Sequence, residues 1–336
     1  MAVVPVDDGL PLGPQSPPEA VKDLQHRLVA LGFDADDEPG AFGATTEAAV
    51  RAFQQSRGLR VDGICGRQTW AALVEAGYRL GDRLLYLRSP MLRGEDVHDL
   101  QLRLGALGFD AGRVDGIFGP RTAAAVTDFQ KNAGLGADGI CGPDSVHTLV
   151  RLGAKVGSPA HVAVVRERET LRRAPKRLAE RRVAVGETGG VAALADAVAR
   201  ALHDVGATVV TVHHPDQSAH AREANEFAAD AYVGLTAGGP GCSVAFYAAR
   251  GFESTGGRRL AELICEEVAP VLDAGPAAPT GMRLPVLRET RMPATWCELG
   301  PPALVVARSA AVVEALARAL TRWVETPVQA DGSPQG

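Results

Sequence analysis

Aromatic residues make up only 5% of the 336-residue chain, and lysine supplies just four of its 35 basic side chains. The basic residues are not interleaved with aromatics and the formal net charge is −5, so nucleic acid is not an expected partner. No apolar run reaches the length of a membrane span, and no transmembrane segment is expected. Residues 1–8 have neither a basic n-region nor an apolar h-region. That argues against a signal peptide and for a cytoplasmic location. The five cysteines (Cys65, Cys141, Cys242, Cys265, Cys297) are odd in number, widely spread and without a CxxC, the usage of a reducing compartment. No GxSxG occurs, which removes a serine-hydrolase elbow, and the glycine turn Gly186–Gly190 lacks the GxGxxG and GxxxxGK[ST] spacings of the common nucleotide-binding loops. What is present is 46% apolar residues, enough for ordinary cores in two or three domains.

Residues 21–77 and 97–153 are two copies of one sequence, aligned without a gap at an offset of 76. Each copy reads as three short helices joined by glycine turns. In the first, Val21, Leu24, Leu28 and Leu31 recur at helical spacing and Gly32 supplies the stop. Thr45 or Thr46 is placed to cap a second helix carrying Val50 and Phe53, which ends near Gly58. Asp62-Gly63 signals a turn, and Trp70, Leu73 and Val74 mark a third helix before Gly77. The second copy repeats this with Val97, Leu100, Leu104, Leu107, Val126, Phe129, Leu149 and Gly153. Cys65 and Cys141 are equivalent positions and read as small buried apolar sites. Two readings of the shared polar residues stay open. Asp62, Asp138, Thr46 and Thr122 serve turns and caps, or they join Gln54, Asp115 and Gln130 around a polar binding groove near the glycine loops.

The stretches LQxRLxxLGF, VDGIFGPRT (Val114 to Thr122), AVxxFQ and DGICG resemble the peptidoglycan-binding-domain-1 family. The second copy matches almost throughout, whereas Glu38-Pro39-Gly40-Ala41 replaces Val-Asp-Gly-Ile in the first. The resemblance implies small three-helix modules that bind cell-wall glycopeptide and accompany a catalytic domain.

Beyond a basic connector, Arg166 to Arg182, strand-like runs at 183–185, 207–212, 232–235, 243–247 and 294–297 alternate with helical ones near 191–205, 218–229, 256–272 and 303–323. This alternation predicts an α/β domain with a largely parallel sheet. Ala221-Arg-Glu-Ala-Asn225, and Pro285 to Ala294 followed by Cys297-Glu-Leu-Gly300, resemble the zinc-dependent N-acetylmuramoyl-L-alanine amidases of the amidase-3 family. Glu298 falls on that family's catalytic glutamate. The family's two metal-binding histidines are replaced by Thr188 and Thr236, and the segment that carries its glutamate ligand is missing. Zinc needs three protein ligands and an open position, and threonine is a poor donor, so no metal and no cofactor are expected. A site rebuilt from His213, His214, His220 and Glu187, or a Glu187–Glu298 carboxylate pair for acid–base work, is the minor reading. Gly186 to Gly190 reads as a tight turn or as an anion cradle at a helix start.

The whole arrangement resembles the actinobacterial CwlM-like proteins. It divides into a disordered start (1–20), repeats at 21–77 and 97–153 joined by a connector (78–96), a basic linker (154–182), an amidase-3-like domain lacking zinc ligands (183–325) and a disordered tail (326–336). The resemblance implies a pseudoenzyme that binds peptidoglycan or precursor glycopeptide and regulates cell-wall synthesis enzymes or their regulators. It also implies phosphorylation near the C-terminus, for which Thr326 and Ser333 are candidates. The alternative is an active zinc amidase that cleaves between muramic acid and stem peptide.

Overall fold

The computed structural model of the protein describes residues 9–153 and 162–328. They form two compact units that divide between Ala163 and Val164. In the first unit each repeat supplies three helices, as the periodicity indicates. These are α1 (Pro18–Ala30), α2 (Ala44–Ser56) and α3 (Arg67–Ala76), then α4 (Glu95–Ala106), α5 (Pro120–Ala133) and α6 (Pro143–Gly153). Leu24, Leu28, Val50, Phe53 and Leu73 are buried in the first core, and Leu100, Leu104, Val126, Phe129 and Leu149 in the second. An edge-to-face aromatic pair recurs at the same place in both, Phe33 on Phe53 at 5.6 Å and Phe109 on Phe129 at 5.7 Å.

The helix ends follow from single residues. Gly32 has φ +86°, and the Phe33 N–H beyond it returns to the Leu28 carbonyl at 2.9 Å. Gly108 and Phe109 repeat that closure on Leu104, where a side chain at the left-handed position would be strained. The start of α2 differs from the sequence expectation. Neither Thr45 nor Thr46 is its N-cap: the helix begins after Gly43, and the Thr46 N–H donates to Asp37 Oδ2 at 2.7 Å. A carboxylate from the preceding loop reaches the exposed amides first, which is favourable at a helix N-terminus. Each repeat also takes in chain upstream of the aligned segment, through antiparallel bridges of Leu12 with Cys65 and of Leu85 with Cys141.

In the second unit the strands are β1 (Arg182–Glu187), β2 (Thr208–His213), β3 (Ala231–Ala237), β4 (Gly241–Ala249), β5 (Phe252–Glu253), β6 (Thr280–Met282) and β7 (Ala294–Gly300). Their order is β2-β1-β3-β7-β4-β5, with β6 beside β4. β2, β1, β3 and β7 run parallel, while β4 is antiparallel to β7. The sheet is thus mixed but mostly parallel, as expected for strands joined through helices.

One face of the sheet carries Val183, Val185, Val233, Leu235, Cys297 and Leu299 into a core. That core is shared with α8 (Ala192–Asp204), α10 (Thr255–Val268) and α13 (Ser309–Glu325). Trp323 is fully buried there and donates its indole N–H to the Gly256 carbonyl at 2.9 Å. The opposite face meets α9 (Gln217–Glu226) and α11 (Pro285–Glu289), with α12 (Pro302–Ala307) following β7. Within the basic connector lies a further helix, α7 (Val162–Arg173), whose Arg168, Arg172 and Arg173 are exposed while Leu171 enters the core. The Glu167 carboxylate accepts from Ser254 Oγ (2.6 Å) and the Thr255 N–H (3.0 Å), capping the start of α10. Pro327 is buried and Val328 packs on the core, so the ordered chain continues past Thr326.

Candidate functional site

Four loops of the helical unit are built alike, each around a buried glutamine. Gln130 Nε2 donates to Asp138 Oδ1 (2.9 Å), the Ile140 carbonyl (3.0 Å) and Ser145 Oγ (3.1 Å), and its Oε1 accepts from the Gly139 N–H (2.9 Å). Gln54 holds Asp62, Ile64, Thr69 and the Gly63 N–H in the same way. Gln101 holds Asp115, Ile117, Thr122 and the Gly116 N–H. In the fourth loop Gln25 binds Thr46 Oγ1, the Ala41 carbonyl and the Gly40 N–H, with Pro39 where the others have aspartate. The glycines sit at φ +91°, +77°, +71° and +74°, so each turn needs the residue that adopts this region freely.

The structure therefore groups the candidates into turns. Gln54 meets Asp62, Gln130 meets Asp138, Asp115 meets Thr122 through Gln101, and Thr46 meets Gln25. The amides of Gln54 and Gln130 point inward and are engaged, while Asp62 and Asp138 remain on the surface. The Ile140 N–H, and then Gln130, hold the Asp138 carboxyl below its ordinary range. Sequence reasoning missed Gln25 and Gln101, although Leu-Gln at the same place in both first helices was a signal for them.

In the α/β unit the family positions gather at the C-terminal edge of the sheet. Thr236 on β3 is in register with Glu298 on β7, which in turn faces Ser243 on β4. Gly186 pairs with Gly234, the pairing ends at Glu187 with Leu235, and Thr188 lies in the bend that follows β1. Side-chain alternation puts Thr236 and Glu298 on the face of Tyr232 and Trp296. Gly186 and Gly234 are required beneath these rings, since a Cβ at either would overlap the Tyr232 hydroxyl and His220, or the Trp296 indole. Among the described residues Glu298 forms no side-chain hydrogen bond or ion pair.

This row does not fit zinc. It offers hydroxyls and one carboxylate where three strong donors are needed. Among the described residues no group of three His, Cys, Asp or Glu converges on a point that could hold a metal.

Glu187 lies on the other face, with Val183 and Val185, so the Glu187–Glu298 carboxylate pair does not form. The sheet separates the two side chains. Glu187 instead meets His213 Nδ1 at 3.0 Å, while His213 Nε2 reaches Asp196 Oδ1 on α8 at 3.1 Å. Glu187 Oε2 also accepts the Gly189 N–H at 2.7 Å. The protein's own carboxylate therefore occupies the position an anion would take in the Gly186–Gly190 turn.

The three histidines do not converge either. His214 Nδ1 accepts the Asp216 N–H, whereas buried His220 donates Nε2–H to the His214 carbonyl and accepts the Tyr232 hydroxyl at 2.7 Å. Burial lowers the His220 pKa, in keeping with a neutral ring.

Two motif residues prove to be architectural. Asn225 donates to the Glu289 carbonyl (2.9 Å) and accepts the Arg291 N–H (2.8 Å), fixing the approach to β7. Cys297 is fully buried within β7. Thr326 is exposed at the end of α13, where its hydroxyl donates to the Arg322 carbonyl at 3.0 Å. Ser333 lies outside the described residues.

Residues 17–73 and 93–149 match the peptidoglycan binding domain family. The chain is 35% identical over 337 residues to the N-acetylmuramoyl-L-alanine amidase CwlM of Mycobacterium tuberculosis, spanning 87% of this chain and 82% of that protein. It is 38% identical over 154 residues to the N-acetylmuramoyl-L-alanine amidase CwlL of Bacillus licheniformis, covering 39% of this chain and 43% of that one. Among solved structures, the catalytic domain of the amidase CwlV from Bacillus (Paenibacillus) polymyxa var. colistinus superposes with a TM-score of 0.37 and 17% identity, over 43% of this chain and 98% of that one. Sharing sequence with CwlM over most of both chains, the protein belongs to the CwlM-type family of N-acetylmuramoyl-L-alanine amidase homologues, with two peptidoglycan-binding-type repeats ahead of an amidase-like α/β domain.

Proposed function

We propose that the protein is a non-catalytic amidase homologue. It binds peptidoglycan or its precursor glycopeptide through the repeats, and it regulates cell-wall synthesis through protein partners in the cytoplasm. The observation that supports this is the row Thr236, Glu298 and Ser243 at the sheet edge, with Thr188 in the bend after β1. Amide hydrolysis in this family requires a metal-activated water, and a carboxylate beside neutral hydroxyls neither holds the ion nor lowers the pKa of water to the neutral range. Glu298 is then left without a reaction to assist, and the protein acts without a cofactor. The amidase-like surface remains as a platform for partners.

Zinc content and muropeptide digestion on the purified full-length protein test this reading. The expected result is zinc far below one ion per chain and no free stem peptide. Stoichiometric zinc together with release of stem peptide would establish the active amidase instead, with Glu298 in its catalytic place.

A further inference from the structure

All sixteen aromatic side chains lie among the described residues, and only Tyr86, at 39% exposure, stands out in solvent. Its position is set by the bridge between Leu85 and Cys141, whose backbones exchange both hydrogen bonds (3.3 and 2.8 Å). Leu85 and Cys141 point into the core, so their neighbours point outward. Tyr86 then faces Ile140, and Leu84 lies across Gly142, where an added Cβ would meet Leu84 Cδ2 at 3.4 Å. With Leu87, these exposed residues make an aromatic and aliphatic shelf on the second repeat. Patches of this kind mark contact surfaces.

One free cation stands beside the shelf. Arg88 stands exposed next to Leu87 and, among the described residues, forms no ion pair, whereas Arg83 is taken by Asp96 at 2.7 Å. The equivalent bridge of the first repeat joins Leu12 to Cys65. There Gly13 faces Ile64, and Gly9–Pro17 carries neither an aromatic nor a charge.

We propose that the Tyr86 shelf is the glycan contact of the protein, and that the second repeat alone carries it. The occupant is an amino-sugar ring of an acidic glycopeptide. The apolar C–H face of the ring lies on Tyr86 over Ile140, and the peptide carboxylates face Arg88. This rests on the reading of the repeats as peptidoglycan binders, and it adds which repeat binds and through which side chains.

The test uses the full-length protein, purified peptidoglycan sacculi, a soluble disaccharide-peptide and the free stem peptide. Co-sedimentation and titration are expected to show roughly tenfold weaker binding for Tyr86→Ser, near-normal binding for Tyr86→Phe, and salt-dependent weakening for Arg88→Glu. The disaccharide-peptide should compete and the free stem peptide should not. Tyr86→Ser binding like the wild type, with an unchanged melting temperature, overturns the shelf and leaves the binding function standing. Free stem peptide competing as well as the disaccharide-peptide overturns the sugar assignment. Wild-type protein that binds neither sacculi nor disaccharide-peptide overturns the binding function itself.

Discussion

The imidazole Nδ1 of His213 lies 3.0 Å from Oε1 of Glu187, tying together the ends of two neighbouring parallel strands. Because the second ring nitrogen faces Asp196, the doubly protonated ring is the form that satisfies both carboxylates. The hydrogen bond with Glu187, assisted by Asp196, raises the His213 pKa above its ordinary 6.5. Burial pushes the Glu187 carboxyl up, but hydrogen bonds from His213, the Gly189 N–H and the Val191 N–H outweigh it and leave the pKa below 4.5.

The stability carried by His213 is therefore fully present below pH 6.5 and lost as pH rises through its raised folded-state value. The Glu187 part is present above pH 4.5 and lost as pH falls through its lowered value. Thermal melts between about pH 5 and about pH 8 should show the alkaline decline, and His213→Gln should flatten it. An equal slope in that variant would show that the pair carries no pH dependence.

Gln54 and Gln55 are adjacent in α2, yet only Gln54 is buried in a loop clasp. Gln54→Ala removes the hydrogen bonds that join Asp62, the Gly63 N–H, the Ile64 carbonyl and Thr69 and should cost about 3 kcal/mol. Gln55→Ala should stay within about 0.5 kcal/mol of wild type. Chemical denaturation of the two variants side by side distinguishes a clasp from a general loss of glutamine.

A methyl group at Gly186 would collide with the Tyr232 hydroxyl and the His220 ring. Gly186→Ala should lower stability by roughly 1–3 kcal/mol through overpacking. Tyr232→Phe in the same chain removes the colliding oxygen and should recover part of the loss, as read from melting temperature.

All five cysteines are buried and unpaired. Burial raises both Cys65 and Cys141 to about 12. At about pH 8 neither thiol should react with an aromatic disulfide reagent until denaturant is added, when all five should titrate. Rapid labelling of Cys65 or Cys141 in the native protein would contradict the packing of the two bridges.

The sequence by itself determined what is local or periodic. The duplication, three helices per repeat, the alternation of strand and helix, and threonine at positions 188 and 236 need no partner from elsewhere in the chain. Tertiary structure decided which side chains meet. Glu187 and Glu298 both read as acids near a lost metal site, but strand order and alternation set them on opposite faces. Gln25 and Gln101 act on loops that start 13 to 16 residues away, beyond the reach of helical periodicity. α7 read as a solvated basic linker because its arginines dominate its composition, although Leu171 and Glu167 dock it on α10. The Tyr86 shelf arises because Leu85 pairs with Cys141, far along the chain. Only a long-range backbone pairing could turn one neighbour of Leu85 into an exposed contact while Leu85 itself became core.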